Sequence, residues 1–176
     1  MNGLRGFTLV ELMVTLAVLA IVAGLAVPNL NTFIQSNRVT GHANAMVSAL
    51  NFSRSEAVSR SENVRFCPVN ESLDGCRESS DWSAGWIAVV ESGPDAGEVL
   101  RVWPPIPDRI AVDLSTSAVI SEEFIDMLPL GNVETGGGTF QFQWTLRPED
   151  CREGRPFQRS VDLAPSGRSQ VIREAC

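Results

Sequence analysis

A lone carboxylate, Glu11, interrupts the apolar run from Phe7 to Val27. Inside hydrocarbon a carboxylate costs about 2.5–3.5 kcal/mol even on the lenient insertion scale, and such residues usually have a partner and a function. If the chain is cut between Gly6 and Phe7, the new α-amine of Phe7 lies one helical turn from Glu11. That spacing allows an amine–carboxylate pair, within one chain or between neighbouring chains. The remaining chemistry-bearing residues are sparser. His42 is the single histidine; it has no nearby cysteine to complete a zinc site and no orienting partner for proton transfer. Glu122, Glu123 and Asp150 read as wet surface rather than as an acid/base pair. Gly136, Gly137 and Gly138 precede strand-like residues, Thr139–Leu146, and not a helix whose N-terminus could hold phosphate, so they read as a turn. Nothing in this set supports an enzyme, and no cofactor or metal is expected.

Four cysteines, Cys67, Cys76, Cys151 and Cys176, carry the other covalent chemistry. An even number in a chain with an export signal suggests two disulfides in an oxidising compartment. Of the possible pairings, Cys67–Cys76 and Cys151–Cys176 are favoured because each lies within one local stretch. On the chain-entropy model the two loops contribute about 2.7 and 3.5 kcal/mol.

The balance of charge narrows the partners. Net charge is −7 over 176 residues, and all fourteen basic residues are Arg. An acidic chain is a poor general partner for nucleic acid or anionic lipid. The absence of Lys removes Schiff-base chemistry and a phosphate-loop lysine. The DNA-binding alternative rests on Arg147, Arg152, Arg155, Arg159, Arg168 and Arg173, which are diluted by Glu149, Asp150, Glu153, Asp162 and Glu174. Such a diluted patch gives a small counterion-release term.

The elements that must position Glu11 begin with the apolar run itself. As a helix Phe7–Val27 is about 31 Å long, against a hydrocarbon core of about 30 Å. Arg5 precedes it, so residues 1–6 should stay cytoplasmic and everything after Val27 should lie across the membrane. An ordinary secretory signal, cut near Ala23–Ala26, or a plain membrane anchor would also fit the length, but neither explains Glu11. Gly6-Phe7-Thr8-Leu9-Val10-Glu11, followed by the apolar run and Pro28, resembles the type IV prepilin signature. The resemblance implies cleavage after Gly6 and N-methylation of Phe7 by a prepilin peptidase. It also implies that Glu11 pairs with the N-terminus of an adjacent subunit during assembly.

At the end of the span, Gly24 and Pro28 weaken the helix and predict a kink. Helical periodicity resumes with Leu30, Phe33 and Ile34. It continues through Ala43, Met46, Val47, Leu50, Arg54, Ala57 and Val58 at three- and four-residue spacing. The near-continuous helix to about Arg60 should lay this stripe on a sheet. Short strands follow: Val64–Cys67, Gly85–Glu91, Glu98–Trp103, Arg109–Leu114, Thr139–Leu146, Ser160–Leu163 and Ser169–Ile172. Residues 92–97 form a hairpin turn. Trp82, Trp86, Trp103 and Trp144 read as core or sheet-face residues.

Ser53-Arg54-Ser55-Glu56-Ala57-Val58-Ser59-Arg60, then Val64–Cys67, Trp82 and Gly85-Trp86, resemble the GspH/FimT group of minor pilins and pseudopilins. Cys151 and Cys176 look similar to the FimU type within it. Some FimT-like proteins carry Gly-Arg-x-Arg associated with DNA binding; Gly167-Arg168-Ser169-Gln170 matches its first half, which leaves Arg168 and Arg173 as candidate DNA contacts. The expectation is an α+β, pilin-like chain: leader 1–6, transmembrane half-helix 7–27, amphipathic half-helix 28–60 and a mainly antiparallel β head, 61–176, in the periplasm. The resemblance implies a single-pass inner-membrane protein that joins other minor and major pilins in a type IV pilus, supporting twitching motility and adhesion. A minor pseudopilin of a type II secretion system shares the same signal, helix and fold.

Overall fold

A computed structural model of the protein describes residues 7–106, 109–116, 123–134, 142–155 and 157–176, with the side chains of 25–32 outside the description. The leader residue Gly6 and the glycines at 136–138 therefore lie outside the described residues, as does Glu122. The chain forms two units, one ending at Asn37 and one running from Arg38 to Cys176. One helix, α1 (Leu9–Arg60), belongs to both. Its backbone is helical through Gly24 and Pro28; of the two residues expected to kink it, Pro28 falls in the stretch whose side chains are outside the description.

In the second unit α1 buries Val39, Ala43, Met46, Ala49, Leu50, Ser53 and Ala57, a stripe at three- and four-residue intervals. Ser53 is tolerated there because its hydroxyl donates to the Ala49 carbonyl at 3.0 Å. Val58, expected on this stripe, is 49% exposed. The helix ends where Ser61 takes a left-handed φ of 59° and Glu62 N–H donates back to the Ala57 carbonyl at 3.3 Å. This is a Schellman-type stop.

Among the described residues eight strands follow: β1 (Val64–Pro68), β2 (Trp86–Val90), β3 (Val99–Trp103), β4 (Ile110–Thr116), β5 (Ile125–Met127), β6 (Phe142–Pro148), β7 (Gln158–Leu163) and β8 (Ser169–Glu174). They make two sheets of order β3-β2-β1-β5 and β4-β6-β7-β8, every pairing antiparallel. The predicted strands are all present within a few residues of their expected ends; β5 was not expected. The fold is thus the anticipated N-terminal helix with antiparallel sheets.

One core joins the helix stripe to both sheets. Trp82, held in a short 3-10 turn, packs edge-on against Trp144 of β6 at 5.2 Å and lies 5.5 Å from Phe66 of β1. Trp82, Trp86, Trp103 and Trp144 are all buried, as their sequence setting suggested. At the β1–β5 pairing Arg65 stands opposite Asp126. It donates to both carboxylate oxygens at 2.8 and 2.9 Å while its guanidinium covers the Phe124 ring at 3.9 Å. This bidentate bond raises the Arg65 pKa further, against the opposing effect of burial.

Candidate assembly site

Thr8 precedes the first residue of α1, and Glu11 occupies its first turn. Glu11 N–H donates to Thr8 Oγ1 at 3.2 Å, and Thr8 N–H donates to Glu11 Oε2 at 3.4 Å. These reciprocal bonds are a capping box, which satisfies two of the donors that a helix start leaves open. The carboxylate that the sequence marked as unusual therefore has a partner inside its own chain. The signal for it is the spacing Thr8-Leu9-Val10-Glu11, which the amine-pairing reading of Glu11 had passed over.

Beyond this cap the helix is apolar on every side. Phe7 is 85% exposed, and large side chains from Leu9 to Val22 each expose more than half of their surface. A helix that is apolar all round is stable when something covers it, either protein or lipid. Among the described residues no helix is long and apolar enough to cross a membrane. The described side chains of this run end at Gly24, so the expected span, 7–27, extends into the stretch outside the description.

The head positions the other expected residues. Cys67 and Cys76 are bonded, with Cα atoms 5.5 Å apart, and Cys151 and Cys176 are bonded at 5.7 Å. Val69 bridges to Cys76 and closes the first loop. His42 is half-buried on α1, and burial lowers its pKa. Among the described residues no group of His, Cys, Asp and Glu could hold a metal ion.

Arg147, Arg155 and Arg159 make contacts within the head. Arg147 pairs with Asp113 at 3.0 Å, and Arg155 lies over the Phe157 ring at 5.9 Å. Arg159 is buried; it donates to Thr40 Oγ1 at 3.1 Å and to the Gln158 carbonyl at 2.8 Å. Burial first, then Arg173 opposite it on β8, lowers its pKa. Arg168 and Arg173 are exposed but lie before the start and near the end of β8.

The chain matches the family described as "Type II transport protein GspH" over residues 42–167, and the prokaryotic N-terminal methylation motif over residues 1–27. No curated protein matches it. Among solved structures it is similar to the type IV minor pilin FimU of Pseudomonas aeruginosa, with a TM-score of 0.57 and 16% identity over 80% of this chain and 92% of that one. It is also similar to the minor pseudopilin EpsH of the Type 2 Secretion System of Vibrio cholerae, with a TM-score of 0.53 and 12% identity over 77% and 97% of the two chains. At these identities the two likenesses speak for the pilin-like fold. The family match covers most of the chain, and together with the methylation motif it shows that this protein belongs to the GspH family.

Proposed function

We propose that the chain is a structural filament subunit, a minor pilin that primes assembly of a type IV pilus and is incorporated in it. The observation that carries this reading is the helix start: a capped first turn with a carboxylate, followed by a helix apolar on every side and attached to a head with its own core. Such a helix needs lipid before assembly and neighbouring helices afterwards. In this reading Phe7–Val27 holds the precursor in the inner membrane with the head in the periplasm. A prepilin peptidase cuts between Gly6 and Phe7 and methylates Phe7, and the helix then moves into a filament core beside other pilins. Intact-mass and N-terminal analysis of the mature protein tests the first step. A methylated Phe7 is expected; a start near Val27 overturns it.

A second reading, a minor pseudopilin of a type II secretion system, is favoured by the family description and by the likeness to EpsH. Deleting the gene separates the two. Loss of surface filaments and twitching with intact secretion supports the pilus. The converse supports the secretion system.

A further inference from the structure

Two turns, one from each sheet, meet on a single guanidinium of α1. The turn after β5 is closed by Gly131 N–H on the Leu128 carbonyl and by Leu128 N–H on the Asn132 carbonyl, both at 2.8 Å. The turn between β7 and β8 is closed by Gly167 N–H on the Ala164 carbonyl at 2.9 Å. The turns are bonded to each other, since Val133 N–H donates to the Pro165 carbonyl at 2.9 Å. Arg54 Nε donates to the Gly131 carbonyl at 2.7 Å. Gly167 lies against both partners of that bond. A Cβ there would collide with the Gly131 carbonyl oxygen and approach Arg54 Nε to 2.9 Å. Both glycines have left-handed φ, 78° and 74°, so each turn needs its glycine.

We propose that Arg54 is a latch that fixes the register of α1 against both sheets, so that load carried by the helix of an assembled subunit passes into the head through this junction. The apolar stripe holds the helix to the sheets but is non-directional. A charge-assisted bond from a planar guanidinium to the carbonyl of a braced turn is directional and resists sliding. The load-bearing part of this inference rests on the filament-subunit reading above; the latch itself rests on the junction alone.

The test uses the full-length chain. Arg54→Met removes the guanidinium and keeps an unbranched stem. By amide exchange in detergent, Gly131, Val133 and Gly167 should exchange about tenfold faster or more, and by a larger factor than the Phe66 amide in β1. Unchanged protection at the three turn amides overturns the latch, whatever the chain assembles into. In cells the variant should accumulate in membranes with both disulfides formed, yet fall several-fold in sheared filaments. Ile87→Val, in the small cluster away from the junction, serves as a control of comparable stability loss and should incorporate normally. Normal incorporation of Arg54→Met, or equal loss of Ile87→Val, overturns the load-bearing role. Failure of the unaltered chain to enter any filament overturns the filament reading and the load-bearing role with it, while the exchange result still decides the latch.

Discussion

Thr8 and Glu11 cap each other across the first turn of α1, hydroxyl to main-chain N–H at 3.2 Å and carboxylate to main-chain N–H at 3.4 Å. The same carboxylate is the group expected to meet the amine of an adjacent subunit. Glu11 therefore has two separable properties: an acceptor oxygen that any capping side chain supplies, and a negative charge that only a carboxylate supplies.

Glu11→Gln isolates the charge. Glutamine has nearly the helix propensity of glutamate and completes a capping box as well. Glu11→Ala removes both properties and costs the helix start about 0.3–1 kcal/mol. If charge pairing drives assembly, both variants should insert and accumulate in the inner membrane yet fail to enter sheared filaments. Immunoblots of membranes and sheared pili from the same cells make the comparison. Normal incorporation of Glu11→Gln, with loss of Glu11→Ala, would assign the residue to capping alone. Loss from both fractions would indicate a processing or stability defect.

Legibility followed the range of the interaction. Period-two strands and the turn at 92–97 could be read directly, because alternation and Gly-Pro-Asp punctuation are local. The core tryptophans were legible from size and setting. β5 was not: it is three residues long, and its place is set by Arg65, 61 positions away. Arg54 was placed on the apolar stripe by spacing, but its partner Gly131 is 77 positions off, and no local pattern announces it. Val58 failed for a related reason: it lies beside the Gly131 turn at the margin of the stripe. The Thr8–Glu11 box was legible in principle, since its spacing is a helix-start signature.

The second disulfide should matter most for β8. Cys176 is bonded to Cys151, its N–H donates to the Arg155 carbonyl at 2.9 Å and its carbonyl accepts from Gly154 N–H at 3.2 Å. Replacing both Cys151 and Cys176 by Ser avoids a free thiol and should cost about 2–4 kcal/mol. Amide exchange should quicken in β8 more than in β1, as urea unfolding shifts to a lower midpoint. Non-reduced peptide mapping of the unaltered protein should recover the two local pairs. A Cys67–Cys151 link would contradict the arrangement.

His42 gives the head a small acid sensitivity. Burial lowers its pKa in the folded chain, so folding favours the neutral ring. That contribution is complete above the unfolded value of about 6.5 and is lost as pH falls through the lower folded value. His42→Gln stays uncharged and should flatten this part of the profile. Urea midpoints at pH 7.5 and pH 5 are the measurement. The unaltered protein should lose more stability between them than the variant does, by a modest margin because the ring is only half-buried. Equal losses would mean that His42 is solvated in both states.

Gly85 is a position where one added carbon should do marked harm. Its φ is 95° and its ψ 174°, a region essentially confined to glycine. A Cβ there would stand 2.6 Å from the Trp103 carbonyl oxygen, and 3.0 Å from both Pro104 C and Pro105 N. All three are main-chain atoms, so no side-chain rotation can relieve the contact. Gly85 also ends the 3-10 turn that seats Trp82, and its carbonyl accepts from Val69 N–H at 3.0 Å. Gly85→Ala should therefore cost about 3 kcal/mol or more, from backbone strain and overpacking together. For a chain of this size that is a fall of about 6–12 °C in melting temperature. Gly97→Ala is the matched control. Gly97 has a similar φ of 90° with open space where its Cβ would go, so only the strain is felt there, about 1–2 kcal/mol. Near-UV circular dichroism should show the Trp82 environment altered in Gly85→Ala and kept in Gly97→Ala. Equal melting temperatures for the two variants would mean that the Trp103–Pro105 segment yields and that the close approach at Gly85 does not hold Trp82 in place.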